Sequence, residues 1–182
     1  AFTVQAQDDD AEEGPETIQV DLSGAAITNG VATIADPQAI TTITDLDNTV
    51  AFSVVSTPTI SEESEAVATF TITRTGGELS AGNTASVTVA ASGSATGGTD
   101  YSPELLAAIQ SAADAAAGIT FDGSTLTFEG AADTLAFTVQ AQDDDAEEGP
   151  ETIQVDLSGA AITNGVATIA DPQAITTITD LD

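Results

Sequence analysis

The chain contains no cysteine, histidine, methionine or tryptophan, and its one basic residue is Arg74, so lysine is missing too. Each absence removes chemistry. Imidazole and thiolate ligands, His-assisted nucleophiles and Schiff-base lysines are all ruled out. Nucleic-acid binding needs Lys and Arg to neutralise phosphate, and one arginine does not suffice. Binding to an anionic membrane surface fails on the same ground. Aromatics are scarce, with six Phe and one Tyr. No apolar run approaches the ~20 residues that cross a bilayer, so no membrane insertion is expected. No charged-then-apolar leader opens the sequence, which starts inside a strand-like stretch, AFTVQAQ. The missing cysteines leave the compartment undecided. Negative charge is what abounds: 30 acidic residues give a formal net charge of −29 over 182 residues. Apolar residues make up 41%, enough for a core, so disorder is not expected. The partner these properties favour is a cation.

Self-similarity is the most informative feature. Residues 1–47 recur without one change at 136–182, an offset of 135 residues. Residues 48–182 thus form one full period, and 1–47 form the last third of a preceding copy. A period this long suits a stacked whole domain rather than a solenoid turn. The sequence is therefore read as part of an array of near-identical repeats, whose neighbours lie in the same or an adjacent chain. Segments 1–47 and 136–182 compete for one place on the body 48–135. The second follows that body in chain order and is expected to win. Segment 1–47 would then present bare sheet edges unless other chain completes it.

Within the period, strand signals dominate. Ala68, Phe70 and Ile72 alternate with threonines, as do Leu126 and Phe128. Leu135, Phe137, Val139 and Ala141 form the longest strict alternation, and Ile153, Val155 and Leu157 follow. Gly76-Gly77, Gly97-Gly98, Asp122-Gly123 and Ser158-Gly159 punctuate these runs as turns. About seven short antiparallel strands in one period predict an all-β, immunoglobulin-like sandwich. One segment departs from this pattern. Ser102-Pro103-Glu104 reads as a helix start, with Ser as N-cap and Pro at the first position. The spacing of Leu105, Leu106, Ile109, Ala112, Ala113 and Ala116 predicts a helix over 103–117 lying on the sandwich. Arg74 reads as a surface cation near the Gly76-Gly77 turn, and Tyr101 as an anchor for its turn in the core.

Charge concentrates in Asp143-Asp144-Asp145-Ala146-Glu147-Glu148-Gly149-Pro150-Glu151, which recurs at 8–16. Six carboxylates in nine residues follow one strand and precede another. Like charges ~4–6 Å apart repel by roughly 1 kcal/mol in wet surroundings, so such a loop folds poorly without a counter-ion. Oxygen ligands without nitrogen or sulfur suit Ca²⁺ and its flexible shell of ~6–8 donors. A solvated acidic hairpin tip is the alternative. Glu62, Glu63 and Glu65, Asp100, and Asp180 and Asp182 lie in other segments whose ends converge in a sandwich.

These residues carry a family resemblance. Ser61-Glu62-Glu63 leading to ATFTIT, Gly98-Thr99-Asp100-Tyr101, LTF with FTVQAQDDDAEEGPET, and the closing TTITDLD stand in the order found in Calx-beta domains. Residues 48–182 resemble that domain throughout, with the helix as an insertion. The resemblance implies a β-sandwich that binds Ca²⁺ through Glu63, Asp100, Asp143, Asp144, Glu148, Glu151, Asp180 and Asp182. Glu62, Glu65, Asp145 and Glu147 rank below these. In the partial copy the matching positions are Asp8, Asp9, Glu13, Glu16, Asp45 and Asp47, two of four ligand segments. Leu181 interrupts the family's usual terminal run of Asp, and Pro150 lies in a shortened acidic loop.

The function that follows is a calcium-binding tandem repeat of a bacterial surface adhesin or extracellular filament, stiffened by Ca²⁺. A regulatory Ca²⁺ sensor, as in sodium/calcium exchangers, is the alternative. An enzyme is not expected, because an acid catalyst needs a sheltered carboxyl with a raised pKa and an open acidic loop does not shelter one.

Overall fold

The computed structural model describes residues 2–7, 9, 11–143 and 147–180. Residues of the full repeat, 48–182, build two facing sheets. The first contains β3 (Asn48–Ser56), β5 (Val67–Thr75), β7 (Tyr101–Ser102), β10 (Thr134–Ala141) and β12 (Gly165–Asp171), in the order β12-β3-β5-β10-β7. The second contains β4 (Thr59–Ser61), β6 (Thr84–Gly93), β8 (Ile119–Phe121), β9 (Thr125–Glu129), β11 (Glu151–Ile162) and β13 (Gln173–Thr179), in the order β4-β13-β11-β6-β9-β8. Pairing is antiparallel except where β12 runs parallel to β3 and β13 parallel to β4. A separate two-stranded sheet, β1 (Glu16–Asp21) with β2 (Gln38–Ile43), precedes them.

The alternation in the sequence explains the layers. In β10, Leu135, Phe137, Val139 and Ala141 are buried while the residues between them are exposed. Phe70 and Phe137 face each other across the β5–β10 pair with rings stacked at 5.5 Å. Phe52 on β3 meets Phe128 on β9 at 5.8 Å and joins the two sheets. The strand count exceeds seven because β4, β7 and β8 are only two or three residues long. Edge pieces of that length carry no readable periodicity.

The helix α1 spans Leu105–Ala115, shorter than 103–117. Ser102 is not its N-cap, because Tyr101 and Ser102 are drawn into β7, where they pair with Ala141 and Gln140. Glu104 holds the N-cap position with an extended backbone and makes no side-chain cap. Leu105, Ala108, Ile109 and Ala113 are buried, and α1 packs against β10 of one sheet and β8 of the other. It thereby closes one side of the sandwich. Leu106 turns outward.

Arg74 is also not where its neighbouring glycines suggested. It continues the inward row Ala68, Phe70, Ile72 of β5 and is buried. Its guanidinium donates to the carbonyls of Gly77 (2.7 Å) and Ala132 (2.8 and 3.1 Å). Burial lowers its pKa, and nearby Asp133 opposes that shift. Tyr101 is buried in the core.

Segment 136–182 supplies β11, β12 and β13 and most of β10, so this copy closes the body. The identical segment 1–47 keeps only the pairing it can make with itself. Its β1–β2 register, Glu16↔Ile43 to Asp21↔Gln38, reproduces Glu151↔Ile178 to Asp156↔Gln173. Among the described residues, the equivalents of β10 and β12 and of the outer half of β11 form no strand there. One sequence thus takes two structures according to which partners are present.

Candidate metal centre

Four segments meet at one end of the sandwich. The turn after β4 is tied to the end of β13 by Glu62 N–H donating to the Thr179 carbonyl (3.1 Å). The loop before β7 is tied to the end of β10 by Gln142 N–H donating to the Asp100 carbonyl (2.9 Å). The loop before β11 is held from the chain end, where Glu148 N–H donates to Asp180 Oδ2 (2.6 Å). Asp100 is itself buried, and its Oδ2 accepts from Thr96 N–H (2.5 Å).

This scaffold brings together Asp100, Glu148 and Glu151, each offering a carboxylate oxygen, all within 4.8 Å of one another. Glu151 Oε2 is buried without a hydrogen-bond partner among the described residues. Its pKa is pushed up to about 7 by burial first, then by its carboxylate neighbours Asp100, Glu148 and Glu62. Without a cation, burial and like charge therefore favour a proton on Glu151 below about pH 7. An orphaned buried oxygen among hard oxygen donors is what a divalent cation would satisfy, and the donor set contains no nitrogen or sulfur.

The other expected ligands are distributed as follows. Asp180 lies at the rim and accepts from Glu148. Glu63 is exposed and accepts from the Ser61 hydroxyl. Asp143 is exposed beyond β10. Asp144, Asp182 and Asp8 lie outside the described residues. Glu62, ranked below Glu63, is buried and acts on Glu151. A period-two count from buried Ile60 reaches Glu62 and passes over Glu63, so the signal was present in the sequence.

In the partial copy, Asp9, Glu13, Glu16, Asp45 and Asp47 line a groove of about 600 Å³ together with Asn164. Asp45 accepts from the N–H groups of Glu13 (2.5 Å) and Asp47 (2.8 Å), which hold its carboxyl below the usual range. The Glu13–Asp45 contact matches Glu148–Asp180. The junction between copies is built from amides that sequence reasoning missed. Asn83 Nδ2 donates to the Leu46 carbonyl (2.6 Å) and to Asn48 Oδ1 (3.0 Å). Asn164 Nδ2 donates to Asn83 Oδ1 (2.8 Å). Glu12 Oε2 accepts from Thr49 N–H (2.9 Å), so the acidic loop of one copy touches the first strand of the next.

The family profile of the Calx-beta domain matches residues 45–106 and 111–182, and the break falls within α1. The chain belongs to the Calx-beta family. Among solved structures it is similar to the apo-form Calx CBD1 domain, with 20% identity and a TM-score of 0.47, over 73% of this chain and 98% of that one. It is also similar to CBD12 from CALX1.2, with 20% identity and a TM-score of 0.46, over 71% of this chain and 44% of that one. A third, described as the calcium binding domain CBD12 of CALX1.1, has 20% identity and a TM-score of 0.44 over 70% of this chain and 44% of that one. No curated protein matches. No helix among the described residues is long and apolar enough to cross a membrane.

Proposed function

We propose that this chain is a structural calcium-binding repeat of an extracellular bacterial rod or filament, of the kind that extends an adhesin from the cell surface. The observation that carries the calcium reading is the meeting of Asp100, Glu148 and Glu151 around an unpartnered buried oxygen. Asp100, Glu148 and Glu151 would hold the ion, with Glu62 and Asp180 beside them. A bound Ca²⁺ supplies the positive charge that lets all these carboxylates stay ionised at once. The protein's own part is to fix four segments at one end of the sandwich by the backbone ties Glu62–Thr179 and Gln142–Asp100 and by the Asp180 carboxylate, which accepts from the Glu148 N–H.

The structural reading draws on the identical tandem sequence. Copies with distinct sensing roles diverge, whereas copies that repeat one mechanical task have no reason to. The short joint through Asp45-Leu46-Asp47-Asn48 supports it as well. The site alone would serve a Ca²⁺-sensing regulatory domain equally well. No catalytic role is proposed for the carboxylates.

Calorimetric titration of the chain with Ca²⁺ tests the reading. Binding is expected in the wild type, and an Asp100→Asn/Glu148→Gln variant is expected to lose it. An Asp114→Asn variant on the exposed side of α1 should bind as wild type does. Equal heats from the first variant and wild type would refute the assignment of the site.

A further inference from the structure

The joint between copies holds three asparagines in a fixed order of donation. Asn164 Nδ2 donates to Asn83 Oδ1 (2.8 Å), and Asn83 Nδ2 donates in turn to the Leu46 carbonyl (2.6 Å) and to Asn48 Oδ1 (3.0 Å). Backbone groups set the direction. Asn48 Oδ1 also accepts from Ser80 N–H (3.0 Å) and its Nδ2 donates to the Glu78 carbonyl (3.3 Å), so this amide cannot turn over. The Leu46 carbonyl fixes Asn83 in the same way. Position 164 must therefore supply a donor. A carboxylate there would meet Asn83 Oδ1 acceptor to acceptor.

The residue after Asn164 is Gly165. In an Asn-Gly pair the backbone nitrogen reaches the side-chain amide with least hindrance, because glycine has no Cβ. Deamidation then needs only water. The Gly165 nitrogen bonds to Asn164 Cγ, and the Cγ–Nδ2 bond breaks. Nδ2 leaves as ammonia with the proton given up by the Gly165 nitrogen. Water opens the resulting five-membered imide, at Cγ to give aspartate or at the main-chain carbonyl to give isoaspartate. The fold insists on this pair for two separate reasons. The joint requires the asparagine as donor. The strand requires the glycine, whose φ is 108° and where a Cβ would lie 2.1 Å from the Asn48 carbonyl oxygen.

The contacts that require the pair also hold the reaction back. Imide closure draws Cγ onto the Gly165 nitrogen, so the side chain must first leave Asn83. The backbone is held too: the Asn164 carbonyl accepts from Asn48 N–H (3.2 Å), Thr163 N–H donates to the Thr84 carbonyl (3.0 Å), and Gly165 lies opposite Asn48 in the β12–β3 pair. Asn164 is exposed, so lack of water is not what protects it. We propose that Asn164–Gly165 is a self-modification site gated by the joint. While the amide chain holds, the imide does not form; each opening exposes Asn164 to a conversion that stops the joint from closing again. The product also adds a negative charge to the groove that Asn164 shares with Glu13, Asp45 and Asp47.

The full chain carries a chemical reference for the test. Asn29–Gly30 has the same sequence neighbours, since residues 27–33 repeat 162–168, but it lies in no strand. Cleavage after glutamate yields fragments 17–62 and 152–182, which separate the two sites in a mass spectrum. During incubation at mildly alkaline pH, the amide-to-acid mass gain should appear at Asn29 and lag at least about tenfold at Asn164, the ratio that an opening free energy of about 1.4 kcal/mol produces. The two rates should converge in urea. Asn83→Ala should speed conversion of Asn164 about tenfold and leave Asn29 unchanged. Equal rates at both sites in the folded chain, a difference that survives urea, or an unchanged Asn164 rate in Asn83→Ala overturns the gating. Should Asn83→Ala fail to fold, Asn164→Asp decides. It should speed hydrogen exchange at Ser80 N–H whereas Asn29→Asp does not, and wild-type exchange in Asn164→Asp overturns the proposal.

Discussion

At the scale of single residues, the most consequential groups are charged ones that the fold has taken in. Arg74 is solvated by carbonyls rather than by a carboxylate, so its value lies in the acceptors it satisfies. Arg74→Met leaves the Gly77 and Ala132 carbonyls without these donors and should destabilise the chain by about 3 kcal/mol in urea unfolding. Glu151 has the opposite sign. Its raised pKa means that the cation-free fold takes up a proton there. That contribution to stability is complete below the ordinary value of 4.5 and is lost as pH rises through about 7. Glu151→Gln removes the repulsion, so it should raise the melting temperature in chelator at pH 8 and weaken Ca²⁺ binding. Asp156 is held below the usual range by Gln173, Ser92 and Gln154. It stabilises the fold above its unfolded pKa, and the contribution fades as pH falls through its lower folded value. Asp156→Asn should therefore flatten part of the acid limb of a stability–pH curve, read by denaturant midpoints between pH 5 and 2.

At the scale of elements, what the sequence made legible follows from its regular repeats. Strict alternation in 135–141 and 153–157 marks β10 and β11 because each buries one face against the opposite sheet. Strands β4 and β7 are set by partners distant in the chain, and nothing local announces them. The helix shows the same competition, since Ser102-Pro103-Glu104 favours a cap but sheet pairing claims Ser102. For the site, acidic clustering exposed the loop and the family likeness exposed Asp100. The choice of Glu62 over Glu63 depended on which side of the chain after Ile60 faces inward. The junction was invisible because asparagines in turns look like ordinary turn residues. Asn83 nevertheless contacts Leu46, Asn48 and Asn164 at once. Asn83→Ala should cost about 1–3 kcal/mol, since buried amide groups lose their partners. Faster hydrogen exchange at the Asn48 N–H, which donates to the Asn164 carbonyl, and at the Ser80 N–H, which donates to Asn48 Oδ1, would register the loss at the joint itself. Gly165 adds a steric condition: a Cβ there would lie 2.1 Å from the Asn48 carbonyl oxygen. Its equivalent Gly30 meets no such neighbour, so the requirement arises only when β12 lies against β3.

At the scale of the whole molecule, the charge of −29 divides into 20 acidic residues and one basic residue in 48–182 and ten acidic residues in 1–47. Its important part is the share that four segments gather at one end of the sandwich. Under the proposed function, an ion there joins the turn after β4, the loop before β7, the acidic loop and the chain end. The same position in the partial copy adjoins the next repeat through Asn164 and Thr49. A ligand at ~100 times its dissociation constant adds about 2.7 kcal/mol per site, a large share of an ordinary domain's roughly 5–15 kcal/mol. Thermal unfolding of the full chain in excess Ca²⁺, in excess Mg²⁺ and in chelator therefore shows whether an ion holds these segments together. The melting temperature should be several degrees higher in Ca²⁺ than in chelator, with Mg²⁺ giving less, and the shift should be lost in Asp100→Asn/Glu148→Gln. One melting temperature under all three conditions would contradict the calcium reading.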